Sequence, residues 1–91
     1  MSTEPALQVL LPAALCSYTG STRVQARGAS LHALFADLDA RFPGLRFRVV
    51  DEQQQLRPNM RIFVNGRAVR DLACALKEGD EVAVLLALSG G

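Results

Sequence analysis

Residues Glu81–Ser89, "EVAVLLALS", are apolar at every position except the two ends. Nine residues are too few to span a membrane. The run also lacks the alternate polar positions of a strand with one face in water. It therefore predicts a strand placed centrally in a sheet, with both faces and both edges in use. The turn pair Gly79-Asp80 precedes it and Gly90-Gly91 follows it. A chain of 91 residues makes one domain the expectation, residues 1–91, with residues 1–6 a loose leader and residues 88–91 a flexible C-terminal tail. Such a domain has enough surface to bury for one modest core.

The other segments supply the partners for that strand. Leu7–Leu11, "LQVLL", is a second nearly all-apolar strand, again suited to a central place. Pro12 breaks it, and the loop "PAALCSYTGS" leads to Thr22–Gly28, "TRVQARG". That stretch alternates Thr22, Val24 and Ala26 with Arg23, Gln25 and Arg27, as a half-buried strand does. The two strands form a hairpin with a long loop. Ser30 then caps a helix whose apolar stripe is Leu31, Leu34, Phe35, Leu38 and Phe42. Arg41 suits the negative end of that helix, and Pro43-Gly44 stops it.

In "LRFRVV", Phe47 and Val49 alternate with Arg46 and Arg48, which reads as a short strand or extended segment. "DEQQQ" is a polar loop. Met60–Val69, "MRIFVNGRAV", carries an Asn65-Gly66 pair between apolar runs, the strongest short hairpin signal. "DLACALKEGD" gives one helical turn at most before the last strand. The order is β-β-α-β-(β)-β. The fold class is α+β: a mixed sheet of four to five strands with one main helix packed across one face, the β-grasp or ubiquitin-like architecture.

Composition excludes several functions. The formal net charge is +1, without the concentrated basic field that nucleic acid requires. Nine of the ten basic residues are Arg, and Lys77 is the only Lys. Cys16 and Cys74 stand apart, with no CxxC and no Cys/His cluster, so a zinc or four-Cys iron–sulfur site is not expected. Both are read as free thiols of a cytoplasmic protein. "LQVLLPAALCS" has the look of an export signal, but "MSTEPA" before it carries no Lys or Arg, and Leu15 stands where a small residue should precede Cys16. Neither export nor membrane insertion is expected.

Other polar residues read as surface or turn positions. His32 faces solvent beside the helix stripe. Asp37 and Asp39, two apart on a helix, do not form a carboxylate pair. "NGR" at 65–67 is a turn and lacks the glycines of a phosphate loop. No nucleophile–base set is visible, so the chain is not expected to be an enzyme.

The element order, the "FVNG" hairpin at Phe63–Gly66, "GDEVAVL" at Gly79–Leu85 and the terminal Gly90-Gly91 together resemble the MoaD/ThiS family of sulfur-carrier proteins, over Leu7–Gly91. The loop "LPAALCSYTG" and the middle stretch "VVDEQQQLRPNMRIFVNGRAVR" resemble most the carriers serving cysteine biosynthesis or thio-siderophore assembly. Molybdopterin or thiazole formation are the family's other destinations. The resemblance implies that an activating enzyme uses ATP to adenylate the carboxylate of Gly91. A sulfur donor then converts it to a thiocarboxylate, and a sulfur-accepting biosynthetic enzyme consumes the sulfur. No cofactor is bound by the carrier itself.

That chemistry suits the tail. A free α-carboxylate, with a pKa of about 3.3–3.7, is an anion and a poor electrophile at neutral pH. Gly90 and Gly91, with Ser89 and Leu88 before them, would thread a narrow active site where a Cβ on the glycines would collide. Strand alternation places Val82, Val84 and Leu86 on one face and Ala83, Leu85 and Ala87 on the other. If the first set packs under the helix with Ile62 and Val64, then Phe63, Leu85 and Ala87 form an exposed patch leading to the tail. Such a patch suits docking of the activating enzyme and the acceptor; reversed faces would bury it. The alternatives are a ubiquitin-like modifier joined to proteins through Gly91, or a plain protein-interaction module. Alone, the chain is expected to be a monomer.

Overall fold

In a computed structural model, which describes residues 4–87, the apolar run becomes β5 (Glu81–Leu86) and lies between two neighbours. On one side it runs parallel to β1 (Ala6–Leu10), and on the other antiparallel to β3 (Met60–Val64). β2 (Arg23–Arg27) pairs with β1 and β4 (Arg67–Val69) with β3, both antiparallel. The sheet has five strands in the order β2-β1-β5-β3-β4. The two most apolar strands are thus interior, as their composition requires.

The β3–β4 hairpin turns on Asn65 (φ 51°) and Gly66 (φ 84°), two successive left-handed residues. That pair of dihedrals matches the twist of the flanking strands, and asparagine and glycine adopt it at least cost. Asn65 does more than turn. Its N–H donates to Glu81 O (2.8 Å), its Nδ2 to Asp80 Oδ1 (2.9 Å), and its Oδ1 accepts from Glu81 N (2.9 Å). The hairpin tip is thereby bound to the start of β5.

The main helix, Leu31–Arg41, crosses one face of this sheet. The Ser30 hydroxyl accepts from Ala33 N (3.2 Å), which satisfies an otherwise free first-turn donor. Leu31, Leu34, Phe35 and Leu38 are each at most 1% exposed and meet Leu7, Val9, Ile62, Val82 and Val84 in one core. Burying such side chains stabilises by about 1.5–3 kcal/mol each. Gly28 allows the helix to sit this close. A Cβ there would lie 2.5 Å from Leu34 N and 2.9 Å from Ala33 C.

The same helix covers the exposed edge of β2. Asp37 Oδ2 accepts from Arg27 N (3.0 Å), and Arg41 Nη2 donates to Gln25 O (2.7 Å) and to Asp37 (3.0 Å). Edge groups left open would invite another strand.

Several elements differ from the sequence-based expectation. Leu45–Val49 is a short helix, not an extended segment. Leu45 and Val49, four apart, are both fully buried, while Phe47 between them is 53% exposed. The first turn is capped from outside the segment: Asp39 Oδ1 accepts from Gly44 N (3.0 Å) and Arg46 N (3.2 Å). The loop after β1 is also ordered, with a 3-10 turn at Ala13–Leu15 that buries Leu15 and a single helical turn at Cys16–Thr19. Leu72–Ala75 forms a turn and a bridge to Ser30, within the one helical turn at most that the sequence allows there. β1 starts at Ala6, inside the expected leader, and Pro5 O already accepts from Gly28 N. Met1–Thr3 and the expected tail at residues 88–91 lie outside the described residues.

Candidate functional site

The candidate site is built around the end of β5. Ile62 pairs with Val84, and both are buried against the main helix. The intervening residues therefore face away from it. On that outer face Leu10, Ala83, Phe63 and Ala68 lie in register across four strands. Phe63 and Ala83 are half-buried, and Leu85, one pair further along opposite Arg61, is 47% exposed. The structure thus places Phe63 and Leu85 on one apolar face, as alternation predicts. Leu10, Ala83 and Ala68 belong to the same face. Alternation against Gln8 would have found Leu10, but an all-apolar run hides which face each residue takes.

Two expected placements need correction. Leu86, expected under the helix with Val82 and Val84, is 40% exposed. Its partner Met60 is buried, but Leu86 lines an open groove bordered by the 3-10 turn and the short helix. Ala87 lies beyond the strand, where alternation no longer sets its direction. It is half-buried, and its N–H donates to Asn59 O (2.8 Å). Gly91, Gly90, Ser89 and Leu88 lie outside the described residues.

Sequence reasoning also missed Phe47. Read as part of a strand, it carried no meaning; on the short helix it stands out beside Leu86, across an open groove that Met60 also lines. Arg57 lies over it, with the guanidinium carbon 4.5 Å from the ring centroid and Nε donating to Phe47 O (2.7 Å). Phe47, Leu85 and Leu86 are the exposed large apolar side chains of the described residues. Leu85 and Leu86 end the central strand, and Phe47 borders the groove that Leu86 lines. A concentration of apolar surface at one point is the mark of a protein contact.

The remaining polar residues serve the fold. Asp80 is buried and accepts from Asn65 Nδ2 and from Lys77 N (2.8 Å). The Asn65 amide above all, then the Lys77 N–H and the Lys77 charge, hold its carboxyl below the usual value against the opposing effect of burial. It faces the turn and not the apolar patch. His32 is exposed, and Cys16 and Cys74 are half-buried free thiols, Cys74 packed against the core. Among the described residues no group of three or more His, Cys, Asp or Glu converges as metal ligands would. Nor is any helix there long and apolar enough to cross a membrane.

A sequence model described as the ThiS family matches residues 9–91. The chain belongs to the ThiS family. Its relatives include the sulfur carrier protein CysO of Mycobacterium tuberculosis, 36% identical over 89 residues, which cover 91% of this chain and 96% of that protein. The crystal structure of CysO from M. tuberculosis superposes with a TM-score of 0.85 at 34% identity, covering 90% of this chain and 99% of the other. CysO in the Amycolatopsis orientalis BexX/CysO complex is 31% identical with a TM-score of 0.86, over 93% and 99% of the two chains. SAMP1 of Haloferax volcanii is 28% identical with a TM-score of 0.78, over 94% and 99%. This ThiS-family chain therefore has the β-grasp, ubiquitin-like fold of those carriers, and its family match extends through Gly91.

Proposed function

We propose that this protein is a cytoplasmic sulfur carrier that works through the carboxylate of Gly91. The observation that carries the reading is the apolar surface gathered at the end of the central strand, in a chain whose family match runs to its terminal Gly-Gly. An activating enzyme brings ATP to the tail. A Gly91 carboxylate oxygen attacks the α-phosphorus, pyrophosphate leaves, and the acyl-adenylate forms. A sulfide-equivalent donor then adds to the acyl carbon and expels AMP, leaving a thiocarboxylate. That soft nucleophile passes its sulfur to an acceptor enzyme of a biosynthetic pathway. The carrier is a co-substrate in each step and supplies no acid, base or metal.

The fold contributes position. β5 is fixed on both edges, and the Ala87 N–H is bound to Asn59 O, so the tail starts from a fixed point. The outer face around Phe63 and Leu85 is the docking surface for the activating enzyme. The CysO relative in a complex with BexX supports the view that a carrier of this shape works in a protein–protein complex. Leu85→Glu should lower ATP–pyrophosphate exchange by the host's activating enzyme about tenfold or more, one lost contact of roughly 1.4 kcal/mol. Thermal stability should hold. Unchanged exchange by a folded variant would remove the outer face from the docking role.

A second reading has one observation in its favour: SAMP1 of H. volcanii is a small archaeal modifier protein and shares this fold. A modifier would appear as Gly91 joined to lysines of other proteins. Deletion of Gly91 abolishes both roles, so the mass of the tail decides between them.

A further inference from the structure

Two apolar surfaces flank the base of the tail. Leu85 belongs to the outer face; Leu86, the next residue, belongs to the opposite side of the strand. There an open groove runs between β3, the 3-10 turn and the short helix, lined by Leu86, Met60, Ala14 and Phe47. Arg48 and Arg57 also line it, and no Asp or Glu does. Arg57 is already oriented by its Nε bond to Phe47 O and by the ring beneath it. Among the described residues the Nη groups of Arg57 and the guanidinium of Arg48 have no hydrogen-bond or ion-pair partner; the ion pair present, Arg41–Asp37, lies elsewhere.

We propose that this groove docks an acidic–apolar segment of a protein partner, approaching from the side opposite the outer sheet face. An apolar side chain of the segment sits between Phe47 and Leu86, and a neighbouring carboxylate takes the free N–H groups of Arg57 and Arg48. The charge argues for this occupant: two guanidinium groups beside an exposed aromatic, with no acid in the lining, complement a carboxylate and repel a basic segment. Position argues the same way. The groove borders Leu86 and Asn59, and Asn59 O holds Ala87 N, so a partner here grips the chain just before residues 88–91. The carrier reading gives this partner its role, but the binding itself does not depend on sulfur chemistry.

The test is an amide-shift titration of the full, isotope-labelled protein with two peptides, acetyl-Glu-Phe-Asp-Leu-amide and acetyl-Lys-Phe-Lys-Leu-amide. The acidic peptide should give saturable shifts at Phe47, Arg48, Asn59 and Leu86 and at the Arg57 side chain. Arg48→Glu should weaken it about tenfold, as loss of a charge-assisted contact does. Raising the salt should weaken it too. Equal binding of the lysine peptide, shifts centred on Phe63 and Leu85, or no saturable shift at about 10 mM would overturn the proposal. A chain that fails here yet still supports ATP–pyrophosphate exchange would leave the carrier reading intact. The converse result would separate the two the other way.

Discussion

Asp80 and Asn65 show how one contact can fix a fold. Asp80 is the buried carboxylate behind the turn into β5, and the Asn65 side chain binds both it and the Glu81 N–H. Asn65→Ala removes both side-chain bonds and places a less tolerant residue at φ 51°. It should cost about 1–2 kcal/mol in urea unfolding. The Asp80 pKa is lowered in the folded protein, so its contribution is present above the ordinary carboxylate pKa and is lost as pH falls through the lowered one. Asp80→Asn should therefore be less stable than the parent at pH 7, and the gap should close below about pH 4. A gap that stays constant with pH would show that charge is not what Asn65 and Lys77 recognise.

At the scale of elements, what could be read in the sequence depended on whether its cause was local. The main helix carries its own signals: Leu31, Leu34, Phe35 and Leu38 at helical spacing behind a Ser30 cap that forms as expected. The Asn65-Gly66 hairpin does too. The short helix at Leu45–Val49 does not. Five residues give one i, i+4 apolar pair, Leu45 and Val49, and the cap comes from Asp39 on the preceding helix. The alternation of Phe47 and Val49 with arginines imitated a strand instead. Asp39→Ala should loosen this helix and lower stability by about 1 kcal/mol, read as a lower urea midpoint at constant m-value. Gly28→Ala tests a different constraint, the approach of β2 to the main helix. Its Cβ would meet helix backbone and not a side chain that can move aside, so about 1–3 kcal/mol should be lost. The outer-face part of the candidate site was legible because Leu85 and Phe63 follow strand alternation. Leu86 and Phe47 were not legible: Leu86 ends an all-apolar run in which nothing marks an exposed position, and Phe47 lies on a short helix whose cap comes from outside it.

The whole molecule is an arrangement for presenting the end of one strand. β5 sits between β1 and β3, the turn at Asn65 and Asp80 fixes its start, and Asn59 fixes the residue after its end. Deletion of Gly91, a single position at the chain terminus, should leave stability within about 0.5 kcal/mol of the parent while abolishing activation by the host enzyme. The central claim concerns the chemical state of that residue. The most direct measurement is the mass of the C-terminal fragment from protein purified from its host without added thiols. Cleavage after Lys77 releases Glu78–Gly91, which contains neither Cys nor Met. A sulfur-for-oxygen mass difference or an alkylation product on this fragment can then arise only at the terminal carboxyl. The carrier account predicts that difference, localised to Gly91 and increased when ATP, sulfide and the activating enzyme are supplied. A fragment that stays a plain carboxylate under those conditions, or that is found only joined to lysines of other proteins, would contradict it.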